Sequence, residues 1–456
     1  MHQAYTAMQF KITTDLLEQI RDLIAQQDVS TLEKLLVDFH FADVAEIIDE
    51  LSLEDAVFIV KLLDSEKTSE ALMELDEDQR DRVLNALSPK EIADELEEMD
   101  TDDAADILND LPQEVAQEVI NEIEDEQHAE DIVDLLRYEE NSAGGLMAKE
   151  LVKVNENWTV ISCVSEMRAQ AENVTRVHSI YVVDNNDKLK GRLSLKDLLT
   201  SAETTPIKDV CKPKVDYVTV NTSGEEVARV MRKYDLEAIP VVDELDRLVG
   251  RVTIDDIVDF ITEEAEKDYQ LASGISQDVE ANDSIWELTK ARLPWLVLGL
   301  VGGIGAAAIM DGFEEDLQNN VVLYLFTPLI AAMAGNVGVQ SSAIIVQGIA
   351  NDDLRGSIGN RLIKEMLLAM LNGFILAILL LGFTLVTQDS YLTCIAISVS
   401  LFAVIIVAGL VGTFVPLALH KRGIDPAIAT GPFITTSNDI FGILIYLLIA
   451  KAIMGI

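Results

Sequence analysis

The sequence predicts a multidomain chain with an all-α superhelical N-terminal domain, an α/β tandem domain pair and an α-helical membrane domain with five spans. Three observations predict this architecture. Acidic residues are concentrated in the first 290 residues, and long apolar stretches follow them. Within the acidic part, a repeat of 24 residues is followed by a repeat of 59 residues. We expect domains at 1–140, 141–204, 205–262 and 291–456, with an acidic connecting (plug) helix at 263–290.

Charge and hydropathy separate along the chain. Its 456 residues include 34 Lys and Arg but 79 Asp and Glu, a formal net charge of −45, yet the mean hydropathy is +0.22. Seven of the basic and ten of the acidic residues follow residue 290, so the apolar part carries −3 and the first 290 residues carry −42. Such an acidic surface repels phosphate groups, which excludes nucleic acid as a partner.

The 24-residue repeat lies in the N-terminal domain. Units begin at Leu51, Leu75, Met99 and Ile123, and in the last of them Asp131 takes a position that is apolar in the others. The acidic turns between units suit helix N-caps and first helical turns. Units of this length bury their apolar faces on each other, which predicts a superhelix of short helices. An acidic helical scaffold without chemistry of its own is the alternative interpretation.

The 59-residue repeat predicts two similar α/β units. The segment Ser179–Asp184 recurs as Ala238–Asp243, and Gly191–Asp197 recurs as Gly250–Asp256. Each copy has the pattern of a strand, a polar turn, a second strand and a helix. The expected helix N-caps are Ser194 in the first copy and Thr253 in the second.

These motifs resemble a tandem pair of CBS domains. The resemblance covers residues 141–204 and 205–262. It implies that the pair senses a ligand, often an adenine nucleotide, and passes the result to an attached effector. ATP is therefore a candidate cofactor, without specific ligand residues.

The connecting segment carries carboxylates at helical spacing. Asp256, Asp259 and Glu263 lie at i, i+3 and i+7, so one helix face presents three like charges. Like charges at this spacing destabilise a helix unless something neutralises them. A hard divalent cation such as Mg2+ or Ca2+ prefers carboxylate oxygen. Both a cation site and a solvated acidic face remain open.

Five apolar stretches are long enough to cross a bilayer, which takes roughly 17–25 residues. They run at about Leu293–Met310, Val321–Ala350, Met366–Thr387, Tyr391–Leu419 and Ala427–Met454. The loops after the second and fourth stretches carry Lys and Arg, whereas the loops at 311–320 and 388–390 carry none. By the positive-inside rule, we expect a multi-pass protein of the plasma (inner) membrane, with cytoplasmic N-terminal domains and an external C-terminus.

A carboxylate lies near the middle of the fifth span. Asp439 there costs about 2.5–3.5 kcal/mol on insertion scales. Lys451, the basic residue of that span, is twelve residues away, about 18 Å along a helix. An unpaired acid at this depth predicts an ion or proton path. In a continuous helix, Asp425 would lie about 21 Å nearer the cytoplasm on roughly the same face and could form a second acidic ring.

Neighbouring oxygen ligands favour a hard cation. Thr435 lies four residues before Asp439, and Asn336 and Gln340 are i, i+4 neighbours in the second span. Carboxylate, hydroxyl and amide oxygens suit a largely hydrated hard cation better than a soft metal. The glycines beside Asn336 are better explained by close helix packing. Because one carboxylate is little for a divalent ion, two chains sharing a pore are expected.

The whole arrangement resembles the MgtE family of magnesium channels. The most specific match is the fifth-span sequence Asp425–Tyr446 (DPAIATGPFITTSNDIFGILIY). The resemblance implies a homodimer in the lipid bilayer, with a Mg2+ pore site at Asp439 that divalent cations pass. It further implies that Mg2+ bound between the helical domain, the CBS pair and the connecting helix holds the pore shut. The motif-matching regulatory residues are Asp102, Asp106, Glu225, Asp235, Asp256, Asp259 and Glu264, to which the helix-face spacing adds Glu263.

Two positions depart from the family pattern. Val339 replaces the second Asn of a Gly-Asn-x-Gly-Asn-Gln motif, and Gly431 stands where family members can carry Asn near the pore entrance.

Two other functions remain open. A proton- or sodium-coupled divalent cation transporter with a CBS regulator would use Asp439 to carry the coupling ion. A membrane-anchored nucleotide sensor without transport would leave Asp439 unexplained. The sequence offers no P-loop and no nucleophile–base or metal-hydrolase motif, so we do not expect an enzyme.

Overall fold

A computed structural model describes residues 12–171, 174, 177, 179–277, 279, 283–350, 357–429 and 431–455. Arg355, one of the loop cations behind the predicted orientation, lies outside them. The chain divides into two compact units, Met1–Ile261 and Thr262–Ile456.

The first unit begins with short helices in a regular series. The described part of the N-terminal domain contains ten: α1 (Thr14–Gln26), α2 (Val29–Leu36), α3 (Phe41–Asp49), α4 (Leu53–Val60), α5 (Ser65–Met73), α6 (Glu77–Leu84), α7 (Pro89–Leu96), α8 (Thr101–Asp110), α9 (Gln113–Glu122) and α10 (Glu126–Leu135). From α3 onward, each 24-residue repeat therefore contains two helices. Side chains at their caps, such as Ser52 and Ser88, accept hydrogen bonds from the first-turn backbone.

The departure in the last repeat has a simple structural reason. The helix α10 begins one residue later than the 24-residue period from α8 would place it. Ile132 is consequently buried in this unit, while the Asp131 that breaks the pattern is not. The apolar face of the superhelix therefore continues through α10 to Leu135.

The tandem pair forms two similar three-stranded sheets. The first copy contains β1 (Val152–Asn155), α11 (Val160–Gln170), β2 (Ile180–Val183), β3 (Leu189–Leu193) and α12 (Leu195–Thr200). The second contains α13 (Ile207–Val210), β4 (Val218–Thr219), α14 (Gly224–Tyr234), β5 (Ala238–Val242) and β6 (Leu248–Thr253). In each sheet the middle strand is parallel to the first and antiparallel to the third.

The predicted turns and caps are present in both copies. Asp187 and Asp246 adopt positive φ angles of 56° and 61° in the two hairpin turns. Ser194 forms a capping box with Asp197 at the start of α12. Thr253 donates from its backbone N and its hydroxyl to the Asp256 carboxylate, at 3.0 and 2.6 Å.

The connecting helix differs from its predicted limits of 263–290. The observed helix α15 runs from Ile254 to Ser273, because the contact between Thr253 and Asp256 starts it immediately after β6. It ends before Gly274, whose φ of +81° is left-handed. Residues from Ile285 onward already belong to the first long apolar helix.

The second unit contains the membrane helices. In its described residues, α16 (Ile285–Gly312), α18 (Val321–Ala350), α19 (Ile358–Thr387), α20 (Tyr391–His420) and α21 (Gly431–Met454) are long and apolar enough to span a bilayer. A short helix, α17 (Glu314–Asn319), precedes α18, and a 3-10 helix (Pro426–Ala429) precedes α21. Apolar side chains such as Leu296, Leu379 and Val386 are exposed on the outside. The prediction of five spans is confirmed.

Candidate ion pathway and cation sites

The Asp439 carboxylate lies against the backbone of α18. A Cβ atom placed on Gly335 would be 3.6 Å from Oδ1 of Asp439 and 3.2 Å from Cγ2 of Thr435. Both side chains are half-buried, one helical turn apart on α21. In the described residues, Asp439 has no ion pair with a Lys or Arg side chain. The Asp439 carboxylate and the Thr435 methyl group therefore face a glycine backbone, with no neutralising Lys or Arg among the described residues.

The glycines of α18 serve close helix packing, as predicted. A Cβ atom on Gly338 would overlap the Asn438 amide, and one on Gly412 of α20 would overlap the Gly338 carbonyl oxygen. Asn438 is buried, and its Nδ2 has no hydrogen-bond partner in the described chain. These contacts fix α18 between α20 and α21.

Three other predicted pore residues differ from Asp439 in their surroundings. Asn336 and Gln340 share one face of α18, and both are exposed in the single chain. The Thr435 hydroxyl donates to the Gly431 carbonyl at 2.9 Å, which leaves its lone pairs available.

The expected helical alignment of Asp425 with Asp439 is wrong. The fifth span begins at Gly431 rather than Ala427, so Asp425 precedes both the 3-10 helix and α21. Asp425 is exposed, and its carboxylate accepts a hydrogen bond from the Ala427 backbone N at 2.8 Å. Pro426 follows it directly and interrupts the helical pattern.

The end of the connecting helix packs on the start of α21. A Cβ atom on Gly431, which has a φ of +31°, would overlap the Ala272 carbonyl oxygen of α15. A Cβ atom on Gly274 would likewise overlap the Pro432 ring. Backbone therefore meets backbone at the first residue of α21, two turns before Asp439. This contact explains why Gly rather than Asn occupies position 431.

Sequence reasoning missed Glu365 in the membrane unit. The helix α19 begins eight residues before the predicted limit of Met366, which brings Glu365 into the bundle. The Ser341 hydroxyl of α18 donates to its carboxylate at 2.6 Å. A Cβ atom on Gly409 of α20 would be 3.0 Å from the same carboxylate. Only the tertiary packing shows this, because Lys364 beside it suggested a loop.

The first unit contains a partly buried acidic cluster, which consists of Asp100, Asp102, Asp103, Glu150 and Asp256. Carboxylate oxygens of Asp100, Asp102 and Glu150 all lie within 4.8 Å of one another. Glu150 accepts hydrogen bonds from the backbone N and the hydroxyl of Thr101, at 3.3 and 2.9 Å. Three close carboxylates with few donors form a set of oxygens that suits a hard divalent cation.

Burial dominates the electrostatics of the acidic cluster. It raises the pKa of Asp100 to about 6, with a further increase from the Glu150 charge. Burial and the charges of neighbouring acids, Asp103 and Asp256 among them, raise the pKa of Asp102 well above its ordinary value. Burial also raises the pKa of Asp256, although the Thr253 hydrogen bonds oppose it. The cluster is thus costly to ionise without a counter-cation.

The tandem pair also has a small polar cleft. It is lined by residues from both copies, including Tyr181, Arg192, Lys214 and Asp216. Tyr181 is 1% exposed, and its hydroxyl has no hydrogen-bond partner in the described chain. Burial raises the pKa of Tyr181 to about 12, so the hydroxyl is a neutral donor. The free volume of the cleft is about 10 Å³, so a phosphorylated ligand would have to widen it to reach the two cationic side chains and the carboxylate.

Comparisons with known proteins agree across the whole chain. The family profile described as a divalent cation transporter, MgtE, matches residues 327–449, the MgtE intracellular N domain matches 39–141, and the CBS domain matches 143–203 and 207–263. A magnesium transporter MgtE of Thermus thermophilus is 35% identical over 452 residues, which cover 95% of this chain and 98% of that protein. The chain belongs to the MgtE family.

Other MgtE proteins give the same result. An Enterococcus faecalis magnesium transporter MgtE is 35% identical over 329 residues, 72% of each chain. A solved structure of the cytosolic domain of the Mg2+ channel MgtE in complex with ATP is 36% identical, with a TM-score of 0.51. It covers 54% of this chain and 99% of that one. The predicted family and fold class are confirmed.

The regulatory residues predicted from the MgtE resemblance fall into separate places. Asp102 and Asp256 both belong to the acidic cluster. The charge of Asp106 acts on a third member of the cluster, because it raises the pKa of Asp103. Partial burial and the Asp256 charge raise the pKa of Asp259.

The remaining predicted regulatory residues are not part of the cluster. Glu225 and Asp235 are exposed at opposite ends of α14, where Asp235 serves as a left-handed C-cap. Glu263 and Glu264 lie on the second-unit part of α15, and Glu264 pairs with Lys267 at 3.3 Å.

Proposed function

We propose that this chain forms a homodimeric Mg2+ channel that imports Mg2+ across the plasma membrane and closes when cytoplasmic Mg2+ is high. The observation that carries the proposal is Asp439, a half-buried carboxylate of a membrane helix without a basic partner in the described residues. Such a residue marks an ion path by default. The membrane potential contributes about 4.6 kcal/mol to the entry of a double charge at 100 mV.

Mg2+ is the cargo that best fits the surrounding ligands. Asp439 and Thr435 offer oxygen, and the exposed Asn336 and Gln340 offer amide oxygen on α18. Hard cations that keep part of their hydration shell prefer such ligands. The relatives of this chain are named magnesium transporters.

A second copy of the chain completes the pore in this proposal. Each chain supplies one Asp439, and two facing chains would supply two carboxylates to a divalent ion. Asn336 and Gln340 would face the water-filled path rather than lipid, which removes the cost of exposing amides to hydrocarbon. Asp425 would attract cations at the cytoplasmic mouth. The loop charges favour cytoplasmic N-terminal domains and an external C-terminus.

Gating rests on two acidic regions in this proposal. Mg2+ bound by Asp102, Asp256 and their neighbours would neutralise carboxylates that are costly to bury as anions. Asp106, Glu225, Asp235, Asp259, Glu263 and Glu264 would supply further carboxylates for regulatory Mg2+. The end of α15, packed on Gly431, would hold the mouth of the path shut. The connecting helix of this proposal is α15, Ile254–Ser273, whose first nine residues overlap the predicted second domain at 205–262.

The polar cleft of the tandem pair is proposed to bind ATP. Arg192 and Lys214 suit the phosphates, and the Asp216 carboxylate suits ribose hydroxyls. The unpartnered Tyr181 hydroxyl supplies a further donor. The similar solved cytosolic domain contains ATP, which supports this choice.

Reconstituted uptake tests the proposal. The purified chain in proteoliposomes is expected to take up Mg2+ when the interior is negative and no pH or Na+ gradient is present. Uptake that requires a proton or Na+ gradient at zero voltage would indicate the coupled transporter instead. No uptake under any gradient would leave only the membrane-anchored sensor.

Gly431→Ala tests the role of the connecting helix. The new methyl group would overlap the Ala272 carbonyl oxygen and force α15 away from α21. Displacements of this kind cost about 1–2 kcal/mol, or roughly 5- to 30-fold in an equilibrium. We expect the internal Mg2+ concentration that halves uptake to rise by that factor.

Gly423→Ala is the matched control for this variant. Gly423 also has a positive φ, of +71°, but its Cβ position has no neighbour within 4 Å. The control therefore carries backbone strain without displacing α15, and we expect wild-type inhibition. Equal shifts in both variants would refute the contact as the cause.

A further inference from the structure

The two halves of the tandem pair place equivalent arginines at equivalent positions. Arg192 and Arg251 are 59 residues apart in the repeat. The Arg192 backbone exchanges hydrogen bonds with Lys212 at 3.1 and 2.9 Å, and the Arg251 backbone exchanges them with Ala148 at 3.0 and 2.9 Å. The internal repeat thus extends to the segment that pairs with each third strand.

The glycines before the two arginines support this equivalence. A Cβ atom on Gly191 would be 2.7 Å from the Lys212 carbonyl oxygen, and one on Gly250 would be 2.9 Å from the Ala148 carbonyl oxygen. The paired segments therefore approach both strands in the same way.

The equivalent positions differ in charge two residues further along the paired segments. Lys214 follows Lys212 and lines the polar cleft with Arg192. Glu150 follows Ala148 and accepts the Thr101 hydrogen bonds from the helical domain. One position therefore contributes a cation to an open cleft, whereas its equivalent contributes an anion to the acidic cluster.

Arg251 brings a fixed positive charge to the acidic cluster. It is 5% exposed, and a guanidinium stays protonated even when buried. Thr253, two residues further along β6 and therefore on the same face of the strand, donates to the Asp256 carboxylate at 2.6 Å, which places Arg251 next to this member of the cluster. The Arg251 backbone pairs with that of Ala148, which precedes the cluster residue Glu150 by two residues.

We propose that Arg251 is the built-in counter-cation of the acidic cluster and sets the Mg2+ concentration at which the cluster binds the ion. This inference rests on the proposed Mg2+ regulation. Arg251 repels an entering divalent cation and partly neutralises the carboxylates that would bind it. The cluster therefore binds Mg2+ more weakly than its five carboxylates alone would.

The test measures Mg2+-dependent thermal unfolding of the full chain in lipid nanodiscs. The variant Asp102→Asn identifies the part of the Mg2+ stabilisation that comes from the cluster. Arg251→Gln removes a unit charge near the ion. We therefore expect the Mg2+ concentration that gives half of this cluster-dependent stabilisation, the midpoint, to fall about tenfold. Arg251→Lys keeps the charge, and its midpoint should stay within about twofold of wild type.

Arg247→Gln is the matched control, because it removes one positive charge from the same strand-loop region, as Arg251→Gln does. Arg247 is more than half exposed and pairs with Asp243 at 2.6 Å. We expect its midpoint to equal that of wild type. Should Arg251→Gln be unfolded in EDTA, Mg2+ below the wild-type midpoint is expected to restore the fold, and Arg251→Met provides a second neutral variant.

The outcomes separate the inference from the proposed regulation. Suppose that Asp102→Asn abolishes the Mg2+ effect but that folded Arg251→Gln or Arg251→Met has the wild-type midpoint. This result would overturn the role of Arg251 and leave the proposed regulatory site standing. So does a failure of Mg2+ to restore either neutral variant. Wild-type stabilisation that Asp102→Asn leaves intact overturns the proposed regulatory site and this inference with it.

Discussion

Asp439→Ala is expected to reduce Mg2+ uptake by more than about 100-fold, while the protein still folds and inserts. Removing a charge that an ion passes in a low-dielectric path forfeits several kcal/mol of attraction, and each 1.4 kcal/mol is a factor of ten. The helix itself should tolerate the change, since Asp439 has no ion pair in the described residues and Ala lowers the cost of insertion. Uptake into proteoliposomes at fixed voltage measures the effect.

Two further variants make the Asp439 experiment specific. Asp439→Asn keeps the shape and one acceptor oxygen beside Gly335, so equal loss would assign the effect to the loss of the charged carboxylate. Asp389→Ala removes an exposed carboxylate from the loop between α19 and α20 and should transport as wild type. Normal uptake by Asp439→Ala would remove this residue from the path and with it the principal support for a channel.

Neutralising Asp102 and Asp256 together is expected to abolish most of the inhibition by internal Mg2+. Both carboxylates are partly or fully buried among other acids, and the bound ion would offset their mutual repulsion. With Asn at both positions, the cluster loses two of its ligands for the ion, so Mg2+ no longer stabilises the closed state and uptake should persist at high internal Mg2+. We expect the half-inhibiting concentration to rise at least about tenfold, measured in the same uptake experiment.

The matched control changes two exposed acids of the same domain. Glu54→Gln with Glu114→Gln removes the same net charge from α4 and α9, away from the cluster. Inhibition should then be that of wild type. If the control and the cluster variant behaved alike, the general charge of the domain rather than a defined site would govern the response.

The same cluster predicts a pH dependence of stability in EDTA. The folded-state pKa of Asp100 is about 6, against an ordinary value of 3.8, and those of Asp102 and Asp103 are also raised. The folded protein therefore binds more protons than the unfolded chain between about pH 4 and 6 and above. The free energy of unfolding should fall as the pH rises through this range, and saturating Mg2+ should flatten the fall.

Patterns within one element predicted much of this molecule. The 24-residue and 59-residue periods, the caps at Ser194 and Thr253 and the five apolar helices all depend on local spacing, which the sequence states directly. Asp439 was recognisable because a charge in an apolar run is costly wherever the helix packs. The resemblance to the MgtE family supplied Asp102, whereas Asp256 was indicated by its helix-face spacing as well as by the resemblance.

Contacts between distant segments were beyond the same reasoning. Asp100, Glu150 and Glu365 have ordinary sequence surroundings, and only tertiary packing shows their neighbours. The limits of α15 depended on one side-chain cap at its start and a left-handed Gly274 at its end. Asp425 was misaligned because Pro426 and a short 3-10 helix interrupt what hydropathy alone reads as one span.

The contact between Gly338 and Gly412 has a mechanical consequence. Main chain touches main chain there, so α18 and α20 have no side-chain layer to compress or rearrange as they slide or turn against each other. We therefore expect α18 and α20 to move together as one rigid body. The start of α21 differs from this contact, because a separate 3-10 helix and the left-handed Gly431 provide backbone angles that can change without parting α18 from α20.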